Sequence, residues 1–116
     1  MLPIQYSSTQ PPVIEKFSPP ETLVKGNPKQ RVQSFFEAAS GGFKTGIWSG
    51  EIGAYRLEFG PTKHEFFVLL SGHVRVIPDG GSASDYRAGD ACVIPAGFRG
   101  VFEIVEDASK HYAIGE

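Results

Sequence analysis

Residues 53–72 read GAYRLEFGPTKHEFFVLLSG, two short β-rich runs separated by a Gly-Pro-Thr-Lys loop. The first run holds Tyr55, Leu57 and Phe59 alternating with charged residues, and the second opens with His64 and Glu65 before five apolar residues and a Ser-Gly break. Period-two alternation bounded by turn residues is the pattern of strands. The adjacent His64 and Glu65 pose the functional question: they are either a metal or acid/base site, or the polar lip of a core strand.

The same texture extends in both directions. FKTGIWS lies upstream, and HVRVI, DYRA, DACVI, GVFEIV and KHYAI lie downstream, with PDGGS, AGD and PAG as turns between them. Helices have no room, so the chain from Gly41 is expected to be all-β. Strands this short and closely spaced must close a barrel or stack as a sandwich, because a lone sheet leaves an apolar face and two edges in water. Gly80-Gly81 after Asp79 reads as a hairpin turn, not a phosphate loop, since no helix follows.

Upstream of residue 40 the composition changes: six of the nine prolines lie there, while thirteen of the fourteen glycines lie beyond it. Residues 1–40 therefore read as a proline-rich arm and residues 41–116 as the barrel. VIEKF, between two Pro-Pro pairs, is expected to be extended and fit only for a sheet edge. RVQSFF is expected to be a strand, with a short helix over RVQSFFEAA as the alternative.

Length and charge exclude whole classes of function. The 116 residues, 41% hydrophobic, suffice for one domain with one core. A net charge of −2 without any basic stripe argues against a nucleic-acid partner, and no apolar run reaches the ~20 residues of a membrane helix. Cys92 is the only cysteine, which removes disulfides and thiolate zinc sites, and its run ACVIP marks it as a buried small hydrophobe. The stretch MLPIQYSS lacks the cationic start and apolar run of a signal peptide, so a soluble cytoplasmic protein is expected.

Two spacings carry a family resemblance. From Gly53 the frame is five residues, Phe59, one, Pro61, three, Glu65, six, Gly72; later come Gly89, five residues, Pro95, Ala96, Gly97, two, Gly100. These resemble the two cupin motifs, and from Gly46 to Ile114 the chain is similar to small single-domain cupins whose relatives include ureidoglycine aminohydrolase and the ethanolamine-utilisation cupin. The resemblance implies a double-stranded β-helix, or jelly-roll barrel. In the metal-binding members three histidines and a glutamate hold a divalent ion; here Phe59, Pro61 and Gly100 stand at the histidine positions and only Glu65 remains. No cofactor is expected beyond a weakly held divalent ion.

The resemblance also orients the strands. With Glu65 inward, Phe67 and Leu69 follow it, Tyr55, Leu57 and Phe59 line one neighbouring strand, and Gly100, Phe102 and Ile104 another. A carboxyl in such an aromatic cavity rises in pKa unless a cation or several donors meet it, which makes Glu65 the candidate acid/base or ligand anchor; the bland alternative is a structural hydrogen bond to Tyr55 or backbone. The candidate ligand site is Tyr55, Phe59, Phe67 and Phe102 around Glu65, with Arg99, His64 and His111 as further candidates. His64 should face away from Glu65 unless it belongs to a mouth loop, and the face taken by Lys110 and Tyr112 stays open. Trp48 is expected in the core or at a dimer contact.

The expected function is binding of a small organic metabolite without the three-histidine metal site. The alternatives are a metal-dependent ureide or amine hydrolase with unorthodox ligands, and a non-catalytic regulatory module. A homodimer is expected, the arm being able to add edge strands to a neighbour.

Overall fold

The computed structural model describes all residues, Met1–Glu116. Nine strands run in the order β1 (Ile14–Lys16), β2 (Leu23–Lys25), β3 (Gln30–Glu37), β4 (Phe43–Gly50), β5 (Gly53–Glu58), β6 (His64–Pro78), β7 (Ser84–Arg87), β8 (Ala91–Ile94) and β9 (Arg99–Gly115). The only helical pieces are the 3₁₀ turns Tyr6–Ser8 and Pro20–Thr22, so RVQSFF is a strand and the helical alternative does not form. No helix is long and apolar enough to cross a membrane.

Two long strands divide the barrel. β6 and β9 pair antiparallel from His64↔Gly115 to Pro78↔Gly100, but their register shifts between Leu69 and Val74. The corner is built on Gly72, whose φ of +84° suits glycine and where a Cβ would run into the Asp107 carbonyl and Ala108. On one side of it, the first half of β6 and the second half of β9 join β1, β3, β4 and β8 in what we call the first sheet. On the other side, the second half of β6 and the first half of β9 join β2, β5 and β7 in the second sheet. This is the all-β jelly roll expected from the turn-bounded runs.

The sheets meet through aromatic rings. Trp48 and Phe67 of the first sheet stand edge-on to Phe102 of the second, with centroids 5.6 and 6.3 Å away, and Phe67 also meets Tyr86 at 5.5 Å. Phe67, Phe102, Ile104 and Val74 have no exposed surface. Each such side chain stabilises the fold by about 1.5–3 kcal/mol relative to exposure, so this seam is where the stability of the barrel concentrates. Cys92, expected to be buried, is only partly so at the edge of this core, where desolvation raises its thiol pKa.

The arm pairs with its own barrel. β1 lies along β3, with Ile14↔Val32 and Lys16↔Gln30, and β2 lies along β5 with Leu23↔Tyr55. β3 is a full member of the first sheet, matched with β4 from Gln30↔Gly50 to Glu37↔Lys44. Both short arm strands, β1 and β2, therefore pair with their own barrel, as the two ends of the strand order, each leaving its outer edge unpaired.

Candidate functional site

Between the sheets, at the end where the arm crosses, lies a cavity of about 350 Å³. Its wall on the second sheet is Tyr55, Leu57 and Phe59; its wall on the first includes Trp48, Glu65 and Lys110. The arm contributes Lys16 through Pro19, and Thr22. A hydrogen-bonded chain holds that cover: Trp48 Nε1 donates to Gln30 Oε1 at 3.0 Å, and Gln30 Nε2 donates to Ser18 Oγ at 2.9 Å. Gln30 is 2% exposed, so this chain is shielded from competing water.

Glu65 does not face the cavity alone. Lys110 stands opposite Leu69 on β9, four residues along from Glu65, and its stem runs back over the interior to place Nζ 2.8 Å from Glu65 Oε2. Both side chains are about nine-tenths buried, with 8% and 10% exposure for Lys110 and Glu65. The ammonium also sits 4.7, 4.8 and 4.6 Å from the ring centroids of Trp48, Phe67 and Phe102, a three-ring cation–π setting. Glu65 Oε2 is buried yet has no aligned hydrogen bond, so the contact with Lys110 is ionic and undirected. Tyr55 beside it is held protonated, its pKa raised by burial and then by the Glu65 charge.

Three more lysines, Lys16, Lys44 and Lys63, reach the cavity, and two of them stand without a carboxylate. Lys63, in the loop before β6, lies 4.6 Å over the Phe59 ring, and Lys16 enters from β1. Neither makes an ion pair, whereas the other cations of the lining are paired, Lys44 with Glu37 at 3.8 Å and Arg56 with Asp79 at 2.7 Å. Lys16 keeps an exposed surface, but desolvation against the wall, followed by repulsion from Lys63 and Lys110, lowers its pKa.

The structure sorts the sequence candidates. Glu65, Tyr55 and Phe59 line the cavity. Phe67 and Phe102 have no exposed surface and form the floor under Lys110, out of ligand reach. His64 begins β6 on the opposite face, and its Nδ1 accepts from the Ala96 N–H at 2.9 Å, latching the Pro95-Ala96-Gly97 turn. His111 also faces outward, 5.4 Å edge-on from Tyr6. Arg99 is solvent-exposed and bonded to Glu58 at 3.0 Å. Sequence reasoning left the face of Lys110 open and missed Lys16 and Lys63. For Lys110 a signal existed, because it shares parity with the inward Phe102 and Ile104.

A divalent metal does not fit these residues. Phe59, Pro61 and Gly100 offer no side-chain ligand at the cupin histidine positions, and no group of three His, Cys, Asp or Glu converges anywhere in the chain. The one carboxylate is already met by an ammonium, whose charge would repel an incoming cation.

Comparisons with known proteins agree with the architecture. A protein of unknown function from Pseudomonas syringae superposes with a TM-score of 0.74 at 20% identity, over 87% of this chain and 44% of that one, so the chain spans less than half the length of that relative. The EutQ protein of Clostridium difficile gives 0.67 at 19% identity, over 86% of this chain and 79% of that one. An ectoine synthase from P. lautus gives 0.63 at 10% identity, over 74% and 63%. Identities this low speak for the fold alone. No curated protein matches the sequence. A family model described as the EutQ-like cupin domain matches residues 37–112, which takes in every barrel strand from β4 through most of β9, and on that match the chain belongs to the EutQ-like cupin domain family.

Proposed function

We propose that the cavity binds a small organic anion. The observation that carries this reading is the pair of lysines without ionic partners, Lys16 and Lys63, facing a cavity that includes Trp48, Tyr55 and Phe59 in its walls and whose only carboxylate is already met by Lys110. An ammonium near low-dielectric walls attracts an anion far more strongly than one in bulk water, and the aromatic sides suit a short carbon skeleton. An amine anchored on Glu65, attractive from the sequence, would have to displace Lys110. The hydrolase reading needs a donor set that these residues do not supply.

Calorimetry with acetate, succinate and inorganic phosphate, set against ethylamine, tests the proposal. The anions are expected to bind, and Lys16→Gln with Lys63→Gln to weaken them by about ten- to a hundredfold, the loss of one or two charge-assisted hydrogen bonds. Tighter binding of ethylamine, or unchanged anion binding in the double variant, would overturn it. The pH dependence has a definite sign. Lys16 titrates below the ordinary lysine value of 10.5, and an anion favours its charged form. Affinity therefore falls as pH rises through that lowered value, before 10.5 is reached.

A further inference from the structure

We infer that Lys110 is a nucleophile that forms an imine with a carbonyl compound in the cavity, and that the bound anion is an oxo-carboxylic acid. The inference rests on the anion-binding reading, with Lys16 and Lys63 seating the carboxylate while the carbonyl carbon meets Lys110 Nζ.

A purely structural ion pair aligns its donors on the carboxylate and satisfies the remaining oxygen positions, because two buried charges are otherwise costly. Here the pair is about nine-tenths buried, Nζ and Oε2 are 2.8 Å apart, and Oε2 has no aligned donor. Both side chains also border the cavity, so a third group can reach them. A carbonyl supplies what each lacks: an electrophilic carbon for the nitrogen, and an oxygen that becomes a hydroxyl able to take a proton from Glu65. The rings of Trp48, Phe67 and Phe102, at 4.6–4.8 Å, favour a cation at this nitrogen, and an iminium is as much a cation as an ammonium.

The step balances within the site. Glu65 takes one proton from the Lys110 ammonium, and the freed amine pair forms the C–N bond as the carbonyl π pair moves to oxygen. A second proton passes from nitrogen to that oxygen, giving a neutral carbinolamine. Glu65 then returns its proton to the hydroxyl, the C–O bond breaks, water leaves, and nitrogen keeps one hydrogen in the C=N iminium. Glu65 ends as it began, a carboxylate.

Borohydride trapping tests this on the full chain, with pyruvate as probe, lactate as the control without a carbonyl, and peptide mass mapping as readout. A single reduced adduct on Lys110 is expected with pyruvate and none with lactate. Lys110→Arg, which keeps a positive charge opposite Glu65, is expected to abolish the adduct while circular dichroism shows the variant folded. Glu65→Gln, which leaves the Lys110 ammonium without its counter-charge and so lowers the melting temperature, is expected to slow trapping by more than tenfold at a temperature where circular dichroism shows the variant folded. Pyruvate that binds without being trapped, or adducts spread equally over Lys16, Lys63 and Lys110, would sink the imine and leave anion binding standing. Failure of pyruvate, acetate and phosphate alike to bind would remove both.

Discussion

The two sheets of the barrel distribute their charges in opposite ways. The second sheet is apolar inside, with Val74, Val76, Phe102 and Ile104 buried, and on its outer side Lys25, Glu103, Arg75, Asp85 and His73 form a chain of contacts between 2.6 and 3.3 Å. The first sheet buries Glu65 and Lys110 on its inner face and shows water Phe66, Leu70 and Val93, of which Phe66 and Val93 sit side by side in register. One sheet is arranged as stability alone would arrange it. The other carries two buried charges and an exposed apolar outer surface, both of which work against an isolated soluble fold, and departures of that kind mark where a protein meets something else.

The inner face of the first sheet offers the largest expected effect. Lys110→Met leaves Glu65 buried without a counter-charge and is expected to cost about 3–5 kcal/mol in chemical denaturation at neutral pH. Adding Glu65→Leu is expected to recover most of that loss, since an apolar replacement for a buried pair is commonly neutral or stabilising. A double variant as unstable as the single one would mean that the pair serves the fold, and the contrast between the sheets would collapse.

The outer face of the first sheet comes next. Light scattering is expected to find a homodimer that Phe66→Ser with Val93→Ser converts to monomer, because such a change removes the paired apolar side chains from the centre of the patch. A wild-type chain that is monomeric at micromolar concentration would leave this face without that role. The outer face of the second sheet gives the smallest change. Lys25 is 63% exposed, so Lys25→Ala is expected to cost under about 1 kcal/mol, and a larger loss in thermal denaturation would show that the surface chain is more than solvated charge.

Much of this architecture was legible in the residues, and the exceptions have physical reasons. Strand positions followed from alternation and turn chemistry, and orienting Glu65 inward placed Phe67, Leu69, Tyr55 and Phe102 inward as well. Extending that parity along β9 through Ala108 leads to Lys110, but a buried lysine contradicts the usual preference of that side chain for water, so pattern alone left its face undecided. Lys63 stands in a loop, where no period applies. Lys16 lies in a three-residue strand whose partner is fixed by long-range register with Gln30, which local sequence does not encode. His64 and Arg99 were further ligand candidates, yet one latches a turn and the other bonds to Glu58.

The β6–β9 ladder also bears on the order of assembly. Its inner rung, Pro78↔Gly100, joins residues close together in the chain, while its outer rung, His64↔Gly115, joins residues far apart. Loop-closure entropy rises with the length enclosed, so each rung formed from the inside shortens the closure needed for the next. The ladder is therefore expected to zip outward from the Pro78 end, with stopped-flow refolding in the millisecond-to-second range usual for non-local β topologies. Glu65, Lys110 and Phe67 all lie toward the outer end, so the buried pair is expected to form late, and substitutions there are expected to speed unfolding more than they slow folding.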